Sequence, residues 1–293
     1  MRIQMFTLRP KPPYKITPHI ATFTLSNKPT PCLYENGCCR RAFQGRVFEV
    51  CVDGEPYDPI ITVKVYRGYP EDVKEVIEHI YNVKLDYEDF IKCCEGFDEL
   101  YDIALRYEGL RPALAPTLYE ALIKAIISQQ VPQRIALSVI SKVVTTFGEC
   151  FEYGGKVFYD FPYPDVLANV SPVRLRMLGL SMKKAEYVVS ISEAVISGYD
   201  LESVKKLKPS EAINELMRFK GVGKWTAKLA IMSSTGNLSL DLLEDKAVLR
   251  GFTSLGISME MLREFMSRCE RYVGLLMYLL ALHYEERRKS RFK

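Results

Sequence analysis

The chain has 293 residues, of which 48% are hydrophobic and 26% are charged, and its net charge at pH 7 is +4. This composition is ordinary for a globular protein and excludes a disordered chain, and the length suffices for two domains. The longest uncharged apolar run, VGLLMYLLAL at 273–282, is too short to span a bilayer and predicts a buried helix.

Charge is distributed unevenly along the chain. Residues 1–110 carry 14 Lys/Arg against 17 Asp/Glu, whereas residues 111–293 carry 26 against 19. A basic C-terminal part favours an anionic partner such as nucleic acid, although basic helix faces are also common in soluble proteins. The N-terminal stretch MRIQMFTLRPKPPYK lacks the apolar core of a signal peptide. We therefore expect a monomer without membrane contacts, cytoplasmic in a prokaryote and nuclear in a eukaryote.

The first hundred residues predict an α+β domain. RVFEVCVDG (46–54) and PIITVKVYRG (59–68) predict two antiparallel strands, and ITPHIATFTLSN (16–27) predicts a third. Apolar residues at helical spacing in EDVKEVIEHIYNV (71–83) predict a helix that accompanies them. We place the boundary of this domain near residue 100.

Eight cysteines are spread along the chain, and two pairs of them are adjacent in sequence. We expect reduced thiols that pack as small apolar side chains, as is usual in cytosolic proteins. A zinc site formed by Cys32, Cys38, Cys39 and Cys51 is the weaker alternative, because adjacent side chains do not easily converge on one ion. The sequence thus predicts no metal site.

From about residue 98 the pattern is helical almost throughout, so 101–293 is predicted as a helical region. Capping signals mark the starts of its helices, such as Thr117 followed by Glu120, which is the pattern of a capping box. Ser171 stands before a proline, and Ser181 and Ser210 precede further helical runs. The expected fold is mainly α with an N-terminal α+β domain.

A glycine-rich turn joins two predicted helices in the hairpin at 211–232. The stretch FKGVGKWTAKLAIM (219–232) lets the backbone adopt positive φ at Gly221 and Gly223, and the second helix begins directly afterwards. Its unpaired N–H groups, together with Lys220 and Lys224, suit a phosphate group. Carbonyl groups of the turn could also hold a monovalent cation. A tight αα-hairpin without a ligand is the plain alternative.

An aspartate follows this hairpin at a defined distance. The hairpin motif and two other motifs precede this aspartate in the chain. Asp245 lies twenty-four residues after Gly221, within LDLLEDKAVLRGF (240–252). This arrangement resembles the helix-hairpin-helix/GPD superfamily of DNA glycosylases, and GVGKWTAK resembles its DNA-3-methyladenine glycosylase II (AlkA-like) branch. The stretches 118–149, which contains SQQ, and 179–188, GLSMKKAEYV, resemble two other segments of that branch. The proline that this family places before the aspartate is replaced by Leu-Leu-Glu.

The resemblance implies an antiparallel sheet domain and two helical subdomains that flank a cleft. It also implies a monofunctional DNA glycosylase of base excision repair, which hydrolyses the N-glycosidic bond of alkylated purines in damaged double-stranded DNA. Asp245, in the segment 238–251, is then the catalytic residue, with Asp241 and Glu244 as rivals or helix caps. Trp225 is the expected wall of the base pocket, and Tyr272 stands near the family's second aromatic. No cofactor is required.

Other residues are implied as DNA contacts by the same resemblance. Gln130 is expected to fill the gap that a flipped base leaves, and its neighbour Gln129 points inward. The remaining contacts are Lys220, Gly221, Gly223, Lys224, Thr226 and Arg250. Because tryptophan stands where bifunctional relatives carry a nucleophilic lysine, we expect no β-lyase activity. Excision of 8-oxoguanine or another damaged base, and non-catalytic DNA binding through the hairpin, remain the alternatives.

Overall fold

A five-stranded antiparallel sheet forms the first part of the chain in the computed structural model, which describes residues 3–290. Its strands are β1 (Gln4–Leu8), β2 (Leu33–Glu35), β3 (Cys38–Phe43), β4 (Arg46–Asp53) and β5 (Ile60–Arg67). They lie in the order β1-β5-β4-β3-β2. The two strands that the sequence predicted, β4 and β5, are neighbours within this sheet, while β1 and β2 are its edges.

The predicted third strand at 16–27 is wrong, because the chain forms helix α1 (Thr17–Phe23) there. Pro18 occupies the first turn of α1, where the backbone N–H that a proline lacks would have no partner within the helix. The Glu55 carboxylate accepts hydrogen bonds from the amides of Ile16 at 2.6 Å and Thr17 at 3.1 Å. An acidic residue from a distant turn therefore caps the helix, which outweighs the local preference of β-branched residues for strands.

The rest of the chain is mainly helical, which confirms the predicted fold class. After the sheet come α2 (Pro70–Ile80), α3 (Tyr87–Cys94), α4 (Asp98–Arg106), α5 (Leu118–Ser128) and α6 (Gln133–Phe147). They are followed by α7 (Pro164–Ala168), α8 (Pro172–Met177), α9 (Met182–Ile196), α10 (Pro209–Leu216) and α11 (Lys224–Thr235). The last are α12 (Lys246–Leu255), α13 (Met259–Arg268) and α14 (Val273–Ser290). A small hairpin, β6 (Cys150–Tyr153) and β7 (Lys156–Tyr159), interrupts the helices and was not predicted.

Two large hydrophobic cores lie side by side. One lies between the sheet and α1 and α2, with Tyr14, Phe48 and Ile61 fully or almost fully buried. The other is built from the helices, from Tyr87 to Leu282. Because α3 and α4 contribute to the second core, the helical part of the molecule begins before residue 100.

A buried ion pair joins the sheet to the helices. Arg41 of β3 donates to the carboxylate of Glu120 on α5, and both residues are at most 4% exposed. The hydroxyl of Thr117 accepts from the amide of Glu120 at 3.1 Å and caps α5 as predicted. The Glu120 carboxylate, however, binds Arg41 and Lys124. The reciprocal half of the predicted capping box is therefore absent among the contacts of the described residues.

Six of the eight cysteines form disulfides, so the expectation of reduced thiols is wrong. The bonds are Cys32–Cys39, Cys38–Cys51 and Cys93–Cys269, and the thiols of Cys94 and Cys150 are free. Neighbouring residues of a strand point to opposite faces, so Cys38 and Cys39 reach different partners. Cys38 pairs in register with Cys51 across β3 and β4. The same bonds use all four sulfurs of the alternative zinc site.

None of the helices within residues 3–290 has the length and apolarity needed to cross a membrane.

Candidate active site and nucleic-acid interface

The glycine turn between α10 and α11 depends on Gly221. Its φ is +85°, a conformation that residues with a side chain rarely adopt. A Cβ atom at this position would lie 2.1 Å from the Cδ2 atom of Tyr187 on α9. Glycine is therefore required both by the backbone and by the packing of α9 against the turn.

Gly223 has a different role, because its φ of −91° is open to any residue. No atom of the described chain lies within 4 Å of the position that its Cβ would take. Gly223 is the N-cap of α11, and no side-chain cap of that helix is present among the described residues. Lys220 and Lys224 are exposed beside it. An open helix N-terminus flanked by two cations is suited to a phosphate group.

Gln129 connects this hairpin to the end of α5. Its side-chain amide donates to the carbonyl oxygen of Gly221 and to the hydroxyl of Thr226, both at 2.9 Å. Thr226 is only 3% exposed. The side chain of Thr226 is therefore held in the interior, so the predicted DNA contact of this residue would have to be made by its backbone. The carbonyl oxygen of Gly221 accepts this one hydrogen bond and keeps a second lone pair, which could also contact a cation at this turn.

Gln130 is exposed at the tip between α5 and α6. Its φ of +52° is uncommon for a residue other than glycine and turns the chain sharply at this point. Lys184 of α9 donates to the carbonyl of Ile127 at 2.9 Å and also to that of Gln129. The loop that presents Gln130 is thus fixed from two sides, by Lys184 and by the hairpin.

Asp245 is the N-cap of α12, and its carboxylate is oriented by three donors. Its Oδ1 atom accepts from the amides of Ala247 at 2.7 Å and Val248 at 3.4 Å. Its Oδ2 atom accepts from the indole Nε1 of Trp225 at 3.0 Å. Both Trp225 and Asp245 are partly exposed. The structure thus brings an aromatic ring and an oriented carboxylate together at the surface, where a cationic ligand could meet both.

Asp241 and Glu244 contact a buried lysine and do not cap the helix. The Nζ atom of Lys228 lies 2.9 Å from the Oδ1 of Asp241 and 3.1 Å from the Oε1 of Glu244. Burial alone would raise the pKa of Asp241, but the hydrogen bonds from Lys228 and Leu243 bring it below its usual value. No sequence motif indicates a role for Lys228, although it lies one helical turn after Trp225 and so shares its face of α11.

Two predicted residues do not belong with this pair. Tyr272 is 4% exposed, its hydroxyl donates to the carbonyl of Asp86 at 2.9 Å, and its ring packs against Phe90. The place of Tyr272 in the base pocket stays a prediction: its ring lies in the core against α3, in the stretch that the Cys93–Cys269 bond joins to that helix. Arg250 is exposed and donates to the hydroxyl of Tyr284 at 3.1 Å.

An aromatic cluster that the sequence did not indicate joins the two parts of the molecule. His19 of α1 stacks on Phe23, with ring centroids 4.4 Å apart, and is hydrogen-bonded to the hydroxyl of Tyr278 at 2.8 Å. Burial and the charge of Lys124 lower the pKa of His19 to about 3. The preceding residue of α14, Met277, accepts a hydrogen bond at its sulfur from the amide of Leu242, three residues before Asp245. The sequence carried no local signal for this cluster, since it depends on α1.

Within the described part of the chain, no group of three or more His, Cys, Asp or Glu residues could hold a metal ion.

Residues 123–273, just over half of the chain, match the family described as "HhH-GPD superfamily base excision DNA repair protein". A DNA-3-methyladenine glycosylase of Bacillus subtilis (strain 168) is 28% identical over 163 residues, which are 55% of this chain and 54% of that protein. The chain spans from 40% to 66% of the length of the curated relatives that it matches.

Similar solved structures cover nearly the whole chain. A 3-methyladenine DNA glycosylase from Archaeoglobus fulgidus has a TM-score of 0.82 and 27% identity, and covers 96% of this chain and 98% of that chain. An 8-oxoguanine glycosylase/lyase from Clostridium acetobutylicum, in complex with double-stranded DNA, has a TM-score of 0.71 and 25% identity. That match covers 88% of this chain and 87% of the other. Both parts of the fold, the sheet and the helices, are therefore shared with known proteins.

Proposed function

The chain belongs to the HhH-GPD superfamily of base excision DNA repair proteins, and we propose that it is a monofunctional DNA glycosylase for alkylated purines. The substrate class is 3-methyladenine-type lesions in double-stranded DNA. The relatives from Bacillus subtilis and Archaeoglobus fulgidus, whose names state this activity, support the proposal. The observation that carries it is the 3.0 Å contact between the indole of Trp225 and the carboxylate of Asp245.

The proposed reaction breaks the bond between the sugar C1′ atom and the base nitrogen, and the bonding electrons leave with the base. The sugar then resembles an oxocarbenium ion. Asp245 stabilises this positive charge and accepts a proton from the water whose oxygen bonds to C1′. The products are a free base and a strand with an abasic site.

The base has to leave the helical stack before this carboxylate can reach its sugar. Lys220, Lys224 and the amides at Gly223 bind the backbone phosphates without reading sequence. Gln130 occupies the gap in the duplex, and the face of Trp225 stacks on the extruded base. A purine alkylated on the ring carries positive charge, which the indole face attracts by about 0.5–2 kcal/mol.

Hydrolysis without strand cleavage follows from the lack of a suitable amine. Tryptophan cannot form a Schiff base with the sugar. Lys228, the buried lysine of α11, is 3% exposed and is bound to two carboxylates. An intact abasic strand is therefore the expected product, and borohydride should trap no covalent complex.

Excision of 8-oxoguanine is the second candidate, favoured by the likeness to the glycosylase/lyase from Clostridium acetobutylicum. The two lesions differ in charge, since 8-oxoguanine is neutral. Duplexes that carry a single 7-methylguanine, 3-methyladenine analogue, hypoxanthine or 8-oxoguanine separate the candidates. Alkali after incubation cleaves only strands from which the base has been released.

The decisive variant is Asp245→Asn, which keeps the size of the side chain and removes its charge. We expect base release to fall by about 10²–10⁴-fold, the range for loss of a catalytic acid–base group. Affinity for an abasic duplex should be retained. Unchanged base release would exclude Asp245 as the catalyst. Binding of damaged DNA with no release by the wild type would instead favour a non-catalytic hairpin protein.

Three further proposals concern oligomeric state, cofactor and localisation. The protein acts as a monomer, needs no cofactor, and is located in the compartment that contains the DNA of the cell. A monovalent cation at the hairpin would be held by carbonyl groups of the turn, and that of Gly221 keeps a second lone pair beside its hydrogen bond from Gln129. Replacing potassium by lithium in the binding assay tests this cation.

A further inference from the structure

Lys228 is a charged residue in a place where charge is costly. Its side chain is 3% exposed, and it lies on α11 between the buried residues Ala227 and Ala230. An ion pair in such a position stabilises a protein no better than apolar packing of the same volume. Stability alone therefore does not explain a lysine at this position.

The partners of Lys228 lie in the segment that carries Asp245. Asp241 and Glu244, at 2.9 Å and 3.1 Å from its Nζ atom, belong to the same five-residue turn as Asp245. That turn, DLLED at 241–245, contains no proline or cysteine that would restrict it. Three carboxylates within five residues repel one another, and a single buried cation faces two of them.

The same helix holds the other end of this turn. Trp225 and Lys228 are three residues apart on α11, and Trp225 binds the Oδ2 atom of Asp245. A neutral donor thus contacts the third carboxylate, while the charge of Lys228 is engaged by the other two. The backbone of the turn is also held by α14, because the amide of Leu242 donates to the sulfur of Met277.

We propose that Lys228 is a positioning residue, whose ion pairs with Asp241 and Glu244 fix the turn so that the Asp245 carboxylate faces the indole of Trp225. This inference rests on the proposed function, since it assigns Lys228 a part in base release through Asp245. Lys228 itself touches neither substrate nor the reacting atoms.

The test compares Lys228→Met with Lys156→Met in the full chain. Methionine keeps the length of the side chain and removes the ammonium group. Lys156 is the matched control because it also pairs with a carboxylate, that of Glu49, at 2.6 Å. We expect single-turnover base release to fall by about 10–100-fold in Lys228→Met, as for a misplaced reacting group. Affinity for an abasic duplex should stay within about twofold, and Lys156→Met should match the wild type on both counts.

Trp225 supplies a second readout, because it is the single tryptophan of the chain. Its fluorescence reports on the contact with Asp245. We expect the emission of Lys228→Met, but not of Lys156→Met, to differ from that of the wild type. A change in emission together with slow base release and normal DNA affinity supports positioning.

A triple variant separates positioning from simple charge balance. In Lys228→Met/Asp241→Asn/Glu244→Gln no carboxylate is left unpaired, so a role in stability alone predicts recovery of both folding and rate. Positioning predicts recovery of folding with a rate still about 10–100-fold below the wild type. A wild-type rate in either variant overturns the proposal, and the triple variant decides alone if the single variant does not fold. Absence of base release by the wild type would refute the proposed function. The emission of Trp225 would then still report on the position of Asp245, and unchanged emission in Lys228→Met would overturn the role of Lys228.

Discussion

The indole N–H of Trp225 and the carboxylate of Asp245 are joined by a 3.0 Å hydrogen bond across twenty residues of chain. Trp225 lies in the first turn of α11, directly after the glycine turn, and Asp245 caps α12. The first turns of two helices therefore meet, one beside the proposed phosphate site and the other at a carboxylate. This contact links DNA binding to the proposed chemistry.

Replacing Trp225 should affect cationic bases more than neutral ones. Trp225→Leu removes both the stacking face and the hydrogen bond to Asp245, whereas Trp225→Phe keeps an aromatic face. The attraction of an indole for a cation corresponds to a loss of about 2- to 30-fold. We expect this additional loss in Trp225→Leu for 7-methylguanine relative to hypoxanthine, measured as single-turnover rates. Equal losses on both bases would show that Trp225 acts only through Asp245.

The two glycines of the hairpin should respond differently to the same substitution. Gly221→Ala places a Cβ against the ring of Tyr187 at positive φ, so it should lower the free energy of unfolding by about 1–3 kcal/mol or more. Gly223→Ala meets no atom of the protein and should cost less than about 1 kcal/mol. Its added methyl group instead occupies the open approach to the helix N-terminus.

We therefore expect Gly223→Ala to bind abasic DNA more weakly while its thermal unfolding stays near that of the wild type. Fluorescence anisotropy and calorimetry on both variants check this. Unchanged DNA affinity in Gly223→Ala would show that the hairpin does not contact phosphates.

The salt dependence of DNA affinity should report the number of phosphates that the hairpin neutralises. Lys220 and Lys224 are exposed beside the N-terminus of α11. Each glutamine substitution should reduce the slope of log affinity against log salt by about 1, with no change in lesion preference. Lys92, an exposed lysine of α3, is the control and should leave the slope unchanged when it is replaced. An unchanged slope in both hairpin variants would contradict phosphate binding there.

Features encoded by neighbouring residues could be read from the sequence. The glycine turn, the cap at Thr117 and strands β4 and β5 all follow from short stretches whose chemistry is local. The position of Asp245 came from its distance to the hairpin, since a carboxylate alone does not distinguish a cap from a catalyst. In the structure Asp245 is both N-cap and partner of Trp225.

Features that depend on distant partners could not be read in this way. Helix α1 needs the carboxylate of Glu55, which lies 39 residues from Ile16. Lys228 gains its role only when α11 packs against the acidic turn. Tyr272 is an aromatic residue of the kind that lines a base pocket. It lies in the core, three residues after Cys269, which is bonded to Cys93. In each case a contact between separate elements outweighs the local pattern.

The disulfides predict a defined thiol count. Only Cys94, which is buried, and Cys150, which is exposed, are free. We expect one thiol to react with a thiol reagent in the native protein, and two after unfolding without reductant. Eight reactive thiols under those conditions would show that the disulfides do not form.

Reduction should then lower stability. The Cys93–Cys269 bond closes a loop with a sequence separation of 176, and removal of such a bond costs about 2–5 kcal/mol. The variant Cys93→Ser/Cys269→Ser should therefore unfold at lower temperature than the wild type, and Cys150→Ser should not.

The histidine that joins α1 to α14 should make stability depend on pH. Burial and then the charge of Lys124 lower the pKa of His19 to about 3, whereas an unfolded imidazole titrates near 6.5. Between these values the unfolded chain binds more protons than the folded one, so the free energy of unfolding falls as pH decreases. The contribution of His19 is complete above about pH 6.5 and is lost progressively toward pH 3.

Urea unfolding at pH 7.5, 6.0 and 5.0 measures this loss of stability. These pH values lie above the range in which Asp241 and Glu120 titrate, because the pKa of each carboxyl group is lowered. His19→Gln keeps a polar side chain that does not titrate, so its midpoint should fall less between pH 7.5 and 5.0. His283 also contributes, because burial lowers its pKa, and His283→Gln separates its share. If His19→Gln loses as much stability as the wild type over this range, the imidazole is protonated in the folded protein. In that case the bond to Tyr278 cannot have His19 as its acceptor.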